Sequence, residues 1–202
     1  MFVFFFLIAL LLLPILYNLF FPVKRPKLEN YFKGGEKFSS ESEGLSQTVI
    51  KQEGNKVFCE VKLNPFAAGP PEHLHENMDE CATVIKGILT AKIGGEIRKI
   101  HAGERVIFKR GIYHKMYNET DEEVILRSEQ AEDYLPVEFA YSLAQIYPLM
   151  HGSNNGGFKV FARICMLDDL FDMVPAGPPP MLFKGIKKII KPYARLLGTT
   201  RV

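Results

Sequence analysis

Short apolar segments separated by turn residues fill the middle of the sequence, between Thr48 and Arg127, and they restrict the fold more than any other feature. Several of them alternate apolar and polar residues, as in KVFCEVKL, and the pairs Gly54-Asn55 and Gly94-Gly95 are turn signals. Alternation places successive side chains on opposite faces of a strand. Many short strands at close spacing are typical of an antiparallel sandwich or barrel. The sequence therefore predicts a mainly β domain over residues 48–130.

The first 23 residues, MFVFFFLIALLLLPILYNLFFPV, contain no charged side chain. As a helix they would extend about 34 Å, enough to cross a hydrocarbon core of about 30 Å. A cleaved signal peptide is the alternative, but its usual basic start and small-residue cleavage site are not visible. We therefore expect a single-pass transmembrane anchor over residues 1–23. Because Lys24, Arg25 and Lys27 follow it, and basic residues are in excess on the cytoplasmic side of membranes, we expect the β domain on the cytoplasmic side.

Length and composition limit the remaining organisation and the partners. A chain of 202 residues accommodates one domain of ordinary size plus appendages, and the polar stretch over residues 24–47 is typical of a linker. With 25 basic and 23 acidic residues the formal net charge is +2, so nucleic acid is not an expected partner. The three cysteines lack CxxC spacing, which argues against a disulfide framework or a zinc ribbon and favours a reducing compartment.

The stretch PPEHLHENMDE, residues 70–80, collects candidate metal ligands. On an extended strand His73 and His75 point to one face, and Glu80 begins the next apolar segment. His114 lies near the start of a later strand, after a turn at Gly111, from which it can reach the same centre. Three imidazole nitrogens and a carboxylate suit iron, manganese, zinc, nickel or copper rather than calcium or magnesium. A solvated surface loop is the alternative interpretation of the histidine pair.

These residues resemble the two sequence motifs of the cupin superfamily. The first motif reads HxH, four residues, Glu, six residues and Gly, and this chain has His73, His75, Glu80 and Gly87 at those intervals. The second reads Gly, five residues, Pro, one residue, Gly, two residues, His, three residues and Asn, and this chain has Gly103, Lys109, Gly111, His114 and Asn118. Two positions depart from the motifs. Lys109 replaces the usual proline, and Ala67 stands where the first motif usually begins with glycine.

The resemblance covers residues 48–130 and implies an antiparallel jelly-roll β-barrel, the cupin fold. It also implies that one divalent transition metal is bound inside the barrel by His73, His75, Glu80 and His114. Alternation along the strands places Val84, Phe108 and Met116 toward the interior, where they would line the pocket. Arg127 either points into the barrel mouth, where it would hold an acidic substrate, or lies outside and pairs with a neighbouring glutamate.

Residues 131–202 have apolar residues at spacings of three and four and are predicted to form a helical extension. The apolar faces of these helices need partners, and the outside of the barrel, another helix or a second subunit in a homodimer would each serve. The last segment, MLFKGIKKIIKPYARLLG, separates apolar from basic residues, a pattern typical of a helix at a lipid surface. Pro192 is a candidate break in it. The sequence thus adds membrane lipid to the expected partners.

Function is less restricted than fold, because cupins include dioxygenases, isomerases, decarboxylases, storage proteins and sugar-sensing modules. The sequence favours a metal-dependent enzyme, of dioxygenase or isomerase type, that acts on a small organic molecule. The alternative is a non-catalytic module that binds or senses a small molecule in the same cavity. A membrane-associated scaffold without chemistry is less consistent with four ligand types in register.

Overall fold

A computed structural model describes residues 12–20, 24–151, 157–167 and 169–196 of the chain. In this part of the chain, twelve strands form two antiparallel sheets. The strands are β1 Lys37–Ser40, β2 Leu45–Glu53, β3 Lys56–Leu63, β4 His73–Leu74, β5 Glu80–Lys86, β6 Ile88–Ile93, β7 Glu96–His101, β8 Arg105–Phe108, β9 His114–Tyr117, β10 Val124–Arg127, β11 Leu135–Pro136 and β12 Val174–Pro175. The prediction of a mainly β, antiparallel domain is confirmed.

The larger sheet has the order β1-β2-β3-β10-β5-β8, and β11 adds to β3. The smaller sheet has the order β12-β4-β9-β6-β7. Alternation along the strands directs one set of side chains between the sheets, as for Leu45, Gln47 and Val49 of β2 and for Val124 and Leu126 of β10, all of which are buried. The core between the sheets results from this period of two.

The expected closed barrel is not present in the described strands. The edge strands β1 and β8 of the larger sheet do not pair with the edge strands β12 and β7 of the smaller sheet. No pairing between described strands therefore joins the two sheets. The arrangement is a two-sheet sandwich with a cupin-type interior. The larger sheet also begins earlier than expected, because β1 and the start of β2 lie within the stretch 24–47 predicted as a linker.

Four helical segments accompany the sheets: α1 over residues 12–20, α2 Val137–Ile146, α3 Gly157–Met166 and α4 Pro180–Leu196, with a 3₁₀ turn Tyr147–Leu149 after α2. The predicted helical extension is therefore present, and Pro192 lies inside α4 without ending it. In α2, Phe139, Leu143 and Ile146 share one buried face at spacings of four and three. That face is turned toward a cavity between the two sheets, rather than toward the outside of a barrel.

The predicted membrane anchor over residues 1–23, and with it the membrane localisation, is wrong. Among the described residues, no helix has both the length and the apolar character needed to cross a membrane. Residues 12–20 of the expected anchor are helical in α1. Residues 1–11 and 21–23 of the expected anchor lie outside the described residues.

Two glycines of the sequence motifs occupy positions that require glycine. Gly87 has a φ of +78°, and a Cβ on it would lie 2.6 Å from the carbonyl oxygen of Glu123, where no atom fits. Gly111 has a φ of +76°, and its amide donates to the carbonyl of His75 over 2.7 Å. This contact ties the turn before β9 to the loop that carries His75, and so brings two parts of the candidate site together.

Candidate metal centre

The four candidate ligands come from three strands in two sheets. His73 in β4 pairs directly with His114 in β9, while His75 follows β4 and Glu80 begins β5 of the larger sheet. One ligand atom from each side chain can be chosen so that all four lie within 4.8 Å of one another. The three histidines are buried, at 3% exposure or less. The structure therefore brings together the residues that the sequence motifs single out.

The outer ring nitrogen of each histidine contacts a backbone carbonyl. Nδ1 of His73 donates to Pro71 over 2.7 Å, Nδ1 of His114 donates to Ile112 over 3.0 Å, and Nδ1 of His75 donates to the carbonyl of Asp172. A carbonyl oxygen only accepts hydrogen bonds, so the geometry assigns the proton to Nδ1 in all three rings. The Nε2 lone pairs of the neutral rings are then left for the centre of the cluster.

The inner nitrogens face the Glu80 carboxylate. Oε2 of Glu80 lies 3.4 Å from Nε2 of His75 and 3.4 Å from Nε2 of His114. Within the described residues, Nε2 of His114 is buried and makes no hydrogen bond. A buried imidazole nitrogen without a proton partner, directed at a carboxylate and two more imidazoles, is the arrangement that a divalent metal would complete. The residues present therefore fit one transition metal ion.

The electrostatics of the cluster agree with this fit. Burial raises the pKa of Glu80, but the facing rings of His114 and His75 outweigh burial and hold that pKa below its usual range. Burial, together with the neighbouring His75 and His114, lowers the pKa of His73 to about 3. Burial also opposes charge on His75, yet Glu80 outweighs it and raises the pKa of His75. At neutral pH the cluster thus offers an ionised carboxylate and at least one uncharged imidazole.

Asp172, which the sequence did not single out, positions the loop of His75. Besides its main-chain contact with His75, its carboxylate accepts from the amides of Glu76, over 2.9 Å, and Asn77, over 2.8 Å. Next to it, β12 pairs with β4, the strand of His73. Asp172 falls in a stretch predicted as helix, and α3 ends at Met166 instead. No spacing signal distinguishes this aspartate from its neighbours in the sequence.

Two aromatic rings fix the orientation of the imidazoles. Phe108 stacks on His114, with ring centroids 4.6 Å apart and an angle of 19° between the ring planes. Phe139 of α2 meets His75 edge-on, with centroids 5.0 Å apart. These contacts restrict the rotamers of both ligands and exclude water from one side of the cluster. A helix of the C-terminal extension thus forms part of the metal centre.

A cavity of about 240 Å³ adjoins the cluster, and His73, His75 and Glu80 form part of its wall. Of the residues predicted to line it, Phe108, Met116 and Arg127 do so. Val84 is instead fully buried in the hydrophobic core and is not part of the cavity wall. Arg127 pairs with Glu60 through Nε, over 2.9 Å, and through Nη2.

The opposite wall of the cavity comes from the C-terminal extension. Its members are mostly apolar and include Leu143, Ile146, Tyr147, Met150, Val160, Ile164, Phe171 and Met173. These residues belong to α2, the 3₁₀ turn, α3 and the segment before β12. An apolar cavity with a few convergent polar groups is the usual form of a small-molecule site. The helices that the sequence left without a defined partner enclose this site.

The two-sheet sandwich thus carries three imidazoles and a carboxylate that could hold a metal ion, in the wall of a mostly apolar cavity. Residues 59–128, about a third of the chain, match the family model described as Cupin domain. This part of the chain is therefore similar to cupin domains. No curated protein matches the chain in sequence.

Solved structures also resemble about half of the chain. A predicted oxalate decarboxylase from Thermotoga maritima is 17% identical, covers 50% of this chain and 95% of its own, and has a TM-score of 0.41. A sugar phosphate isomerase of the cupin superfamily from Silicibacter pomeroyi is 20% identical, with 52% and 76% coverage and a TM-score of 0.39. The cupin domain of an XRE family transcriptional regulator from Enterobacter cloacae is 22% identical, with 42% and 92% coverage and a TM-score of 0.37. At such scores these likenesses indicate neither substrate nor reaction.

Proposed function

We propose that this chain is a metal-dependent enzyme, of oxygenase or isomerase type, that acts on a small organic molecule. One observation carries the proposal: three histidines whose Nδ1 atoms are engaged cluster with Glu80 in the wall of a cavity. A metal site that only stabilises the fold would not need a cavity through which a small molecule can reach the cluster. Here the cluster lies at the cavity wall, where a substrate can reach it.

The donor set suits iron, manganese, zinc, nickel or copper. When bound, such an ion supplies Lewis acidity toward a chelating oxygen pair, or brings a substrate and dioxygen together. The chain contributes the rest. Phe108 and Phe139 hold the imidazoles, the apolar wall excludes water, and the ionised Glu80 sets the charge of the ligand shell.

The cavity limits the size of the substrate. Its volume of about 240 Å³ is roughly eight times the 30 Å³ that one water molecule occupies in the liquid. Mostly apolar walls favour a small, partly aromatic or enol-like molecule over a highly charged phosphate. A compact molecule with two neighbouring oxygens, such as a catechol, a diketone or a hydroxy acid, fits both restrictions.

Metal content is the first test. The wild-type chain, purified and dialysed against each candidate ion, is expected to retain about one ion per chain by elemental analysis. The His75→Ala, His114→Ala double variant should retain almost none, because it lacks two of four ligands. His101→Ala is the matched control, since His101 is an exposed histidine of β7, and it should retain metal like the wild type. Equal metal content in the wild type and the double variant would remove the basis of the proposal.

Turnover is the second test, and it separates an enzyme from a sensor. The iron(II) and manganese forms are given catechols, diketones and hydroxy acids, and oxygen uptake and product formation are followed. We expect at least one compound to be converted, and Glu80→Gln to convert it more slowly while keeping much of the fold. If a compound binds and changes the metal spectrum but is recovered unaltered with every candidate metal, the site is a binding or sensing module.

A further inference from the structure

The cavity has a second polar feature, away from the metal ligands. Glu43, in the turn before β2, and Gln47, in β2, both line it and are 5% and 2% exposed. Within the described residues, Oε2 of Glu43 and Nε2 of Gln47 are buried and have no hydrogen-bond partner. Leaving such atoms unpaired in an apolar interior is unfavourable, because each has lost its hydrogen bonds to water. Two such atoms in the wall of one cavity point to a ligand that pairs with them.

The surroundings of this pair do not satisfy it. Ser40 makes a side-chain hydrogen bond with Glu43, yet burial dominates and raises the pKa of the carboxyl to about 7. The side chain of Gln47 contacts the Cys59 thiol and lowers its pKa, but burial dominates, raises that pKa to about 11 and keeps the thiol neutral. A neutral thiol is only a weak partner for an amide. The polar atoms of Glu43 and Gln47 therefore remain available to a molecule in the cavity.

The pair lies at a limited distance from the metal ligands. The amide of Gly69 donates to the carbonyl of Glu43 over 3.0 Å, and His73 follows Gly69 by four residues. Four residues of extended chain span at most about 14 Å. The carboxylates of Glu43 and Glu80 also both act on Tyr147, since each raises the pKa of its hydroxyl after burial has done so. One small molecule is long enough to touch both ends of such a cavity.

We infer that Glu43 and Gln47 form a second binding point, which takes a hydroxyl group at the end of the substrate remote from its metal-binding oxygens. This inference rests on the proposed function and names its substrate class. The free atom of Gln47 is a donor and that of Glu43 is a carboxyl oxygen. A hydroxyl accepts from the first and donates to the second, whereas an ammonium group only donates and would leave Gln47 unpaired.

A metal-free test examines the pair by itself. Binding of phenol and of toluene, which have nearly the same shape, is measured calorimetrically on the full chain without metal. We expect phenol to bind about tenfold more tightly, as one or two added hydrogen bonds allow. The preference should disappear in Glu43→Leu and in Gln47→Leu, which replace unpaired polar groups by apolar ones and should therefore fold. Glu41→Gln, at an exposed carboxylate of the same turn, should keep the preference.

A metal-loaded test examines both ends together, with 4-ethylcatechol, 4-(2-hydroxyethyl)catechol and 4-(2-aminoethyl)catechol as probes. The hydroxyethyl compound should bind about tenfold more tightly than the ethyl compound, and both leucine variants should remove that difference. Tighter binding of the aminoethyl compound, or a phenol preference that survives in both variants, would overturn the assignment. If the chain retains metal but no catechol binds, the chelating chemistry of the proposed function fails, and the phenol measurement still decides the role of Glu43 and Gln47.

Discussion

The backbone carbonyl of Asp172 accepts the Nδ1 proton of His75, across 97 residues of sequence. The same aspartate holds the amides of Glu76 and Asn77 through its carboxylate. The C-terminal extension therefore fixes both the tautomer of a metal ligand and the loop that carries it. Outer contacts of this kind commonly change metal affinity about 10–100-fold when they are lost.

Asp172→Ala should weaken metal binding about tenfold, because the loop of His75 loses two charge-assisted hydrogen bonds. Competition with a chelator of known affinity measures the change. Asp169→Ala is the control, since that exposed carboxylate pairs with Arg25 and Lys191 at the surface, and its affinity should stay near the wild-type value. An unchanged affinity in Asp172→Ala would show that the carboxylate does not position the ligand.

Metal affinity should rise with pH through the titration of His75. Glu80 raises the pKa of His75, so this ring holds a proton up to a higher pH than an ordinary histidine, and metal must displace it. His73, with its pKa lowered to about 3, is already neutral and adds no competition near neutral pH. Calorimetry in buffers of different ionisation enthalpy should therefore record proton release on binding at about pH 6 and less at about pH 8. Release that does not vary with pH would contradict this assignment.

Glu43 should make the metal-free chain less stable as pH rises. The pKa of its carboxyl is raised from the ordinary 4.5 to about 7 in the fold, so the folded state holds the proton more strongly than the unfolded state. The resulting stability is complete below pH 4.5, falls between about pH 4.5 and 7, and is lost above that range. The loss amounts to roughly 3 kcal/mol.

Glu43→Gln cannot titrate at this position and should lack this fall. Chemical unfolding at about pH 5 and about pH 8 measures the difference, with Glu41→Gln as the exposed control in the same turn. Between the two pH values, the free energy of unfolding should decrease less in Glu43→Gln than in the wild type. The difference between the two decreases should be nearly the whole loss given above. The control should follow the wild type. A wild-type profile identical to that of Glu43→Gln would exclude a perturbed carboxyl.

Gly69→Ala should destabilise the fold more than Gly54→Ala. Both glycines have φ near +60°, so both substitutions carry the left-handed backbone penalty of about 1–2 kcal/mol. At Gly69 the new Cβ would also lie 1.9 Å from the carbonyl oxygen of Met116, whereas nothing lies within 4 Å at Gly54. The clash should add about 1–3 kcal/mol, measured by urea unfolding. Equal losses for the two variants would mean that the chain beside β9 moves freely.

The sequence predicted the parts of the site that depend on local spacing. His73 and His75 meet because neighbouring positions of an extended chain alternate, and Gly87 and Gly111 occupy turns whose φ values other residues avoid. Each of these features depends on residues that are close together in the sequence. Short-range rules therefore suffice to direct His73 and His75 to one face and to predict a mainly β fold.

Long-range packing was less predictable. The periodicity of α2 shows which face is apolar, but it does not show that Phe139 contacts His75. Alternation directs Val84 inward without showing that its neighbours cover it completely. The carboxylate of Asp172 accepts from backbone amides 96 and 95 residues earlier, and no local sequence pattern indicates such a contact. The apolar N-terminal stretch satisfied a composition rule for membrane spans, and the described residues contain no such span.

The pairing of β12 with β4 also affects the order in which the molecule assembles. The hairpin of β6 and β7 closes over a turn at Gly94 and Gly95, whereas Val174 pairs with Leu74, 100 residues earlier. Contacts of such high sequence separation form slowly, because the entropic cost of closing a long loop comes before the contact can stabilise the chain. During synthesis, β4 gains this neighbour only after the ribosome has passed Pro175. The metal ligands are therefore made early in translation but acquire their final geometry late.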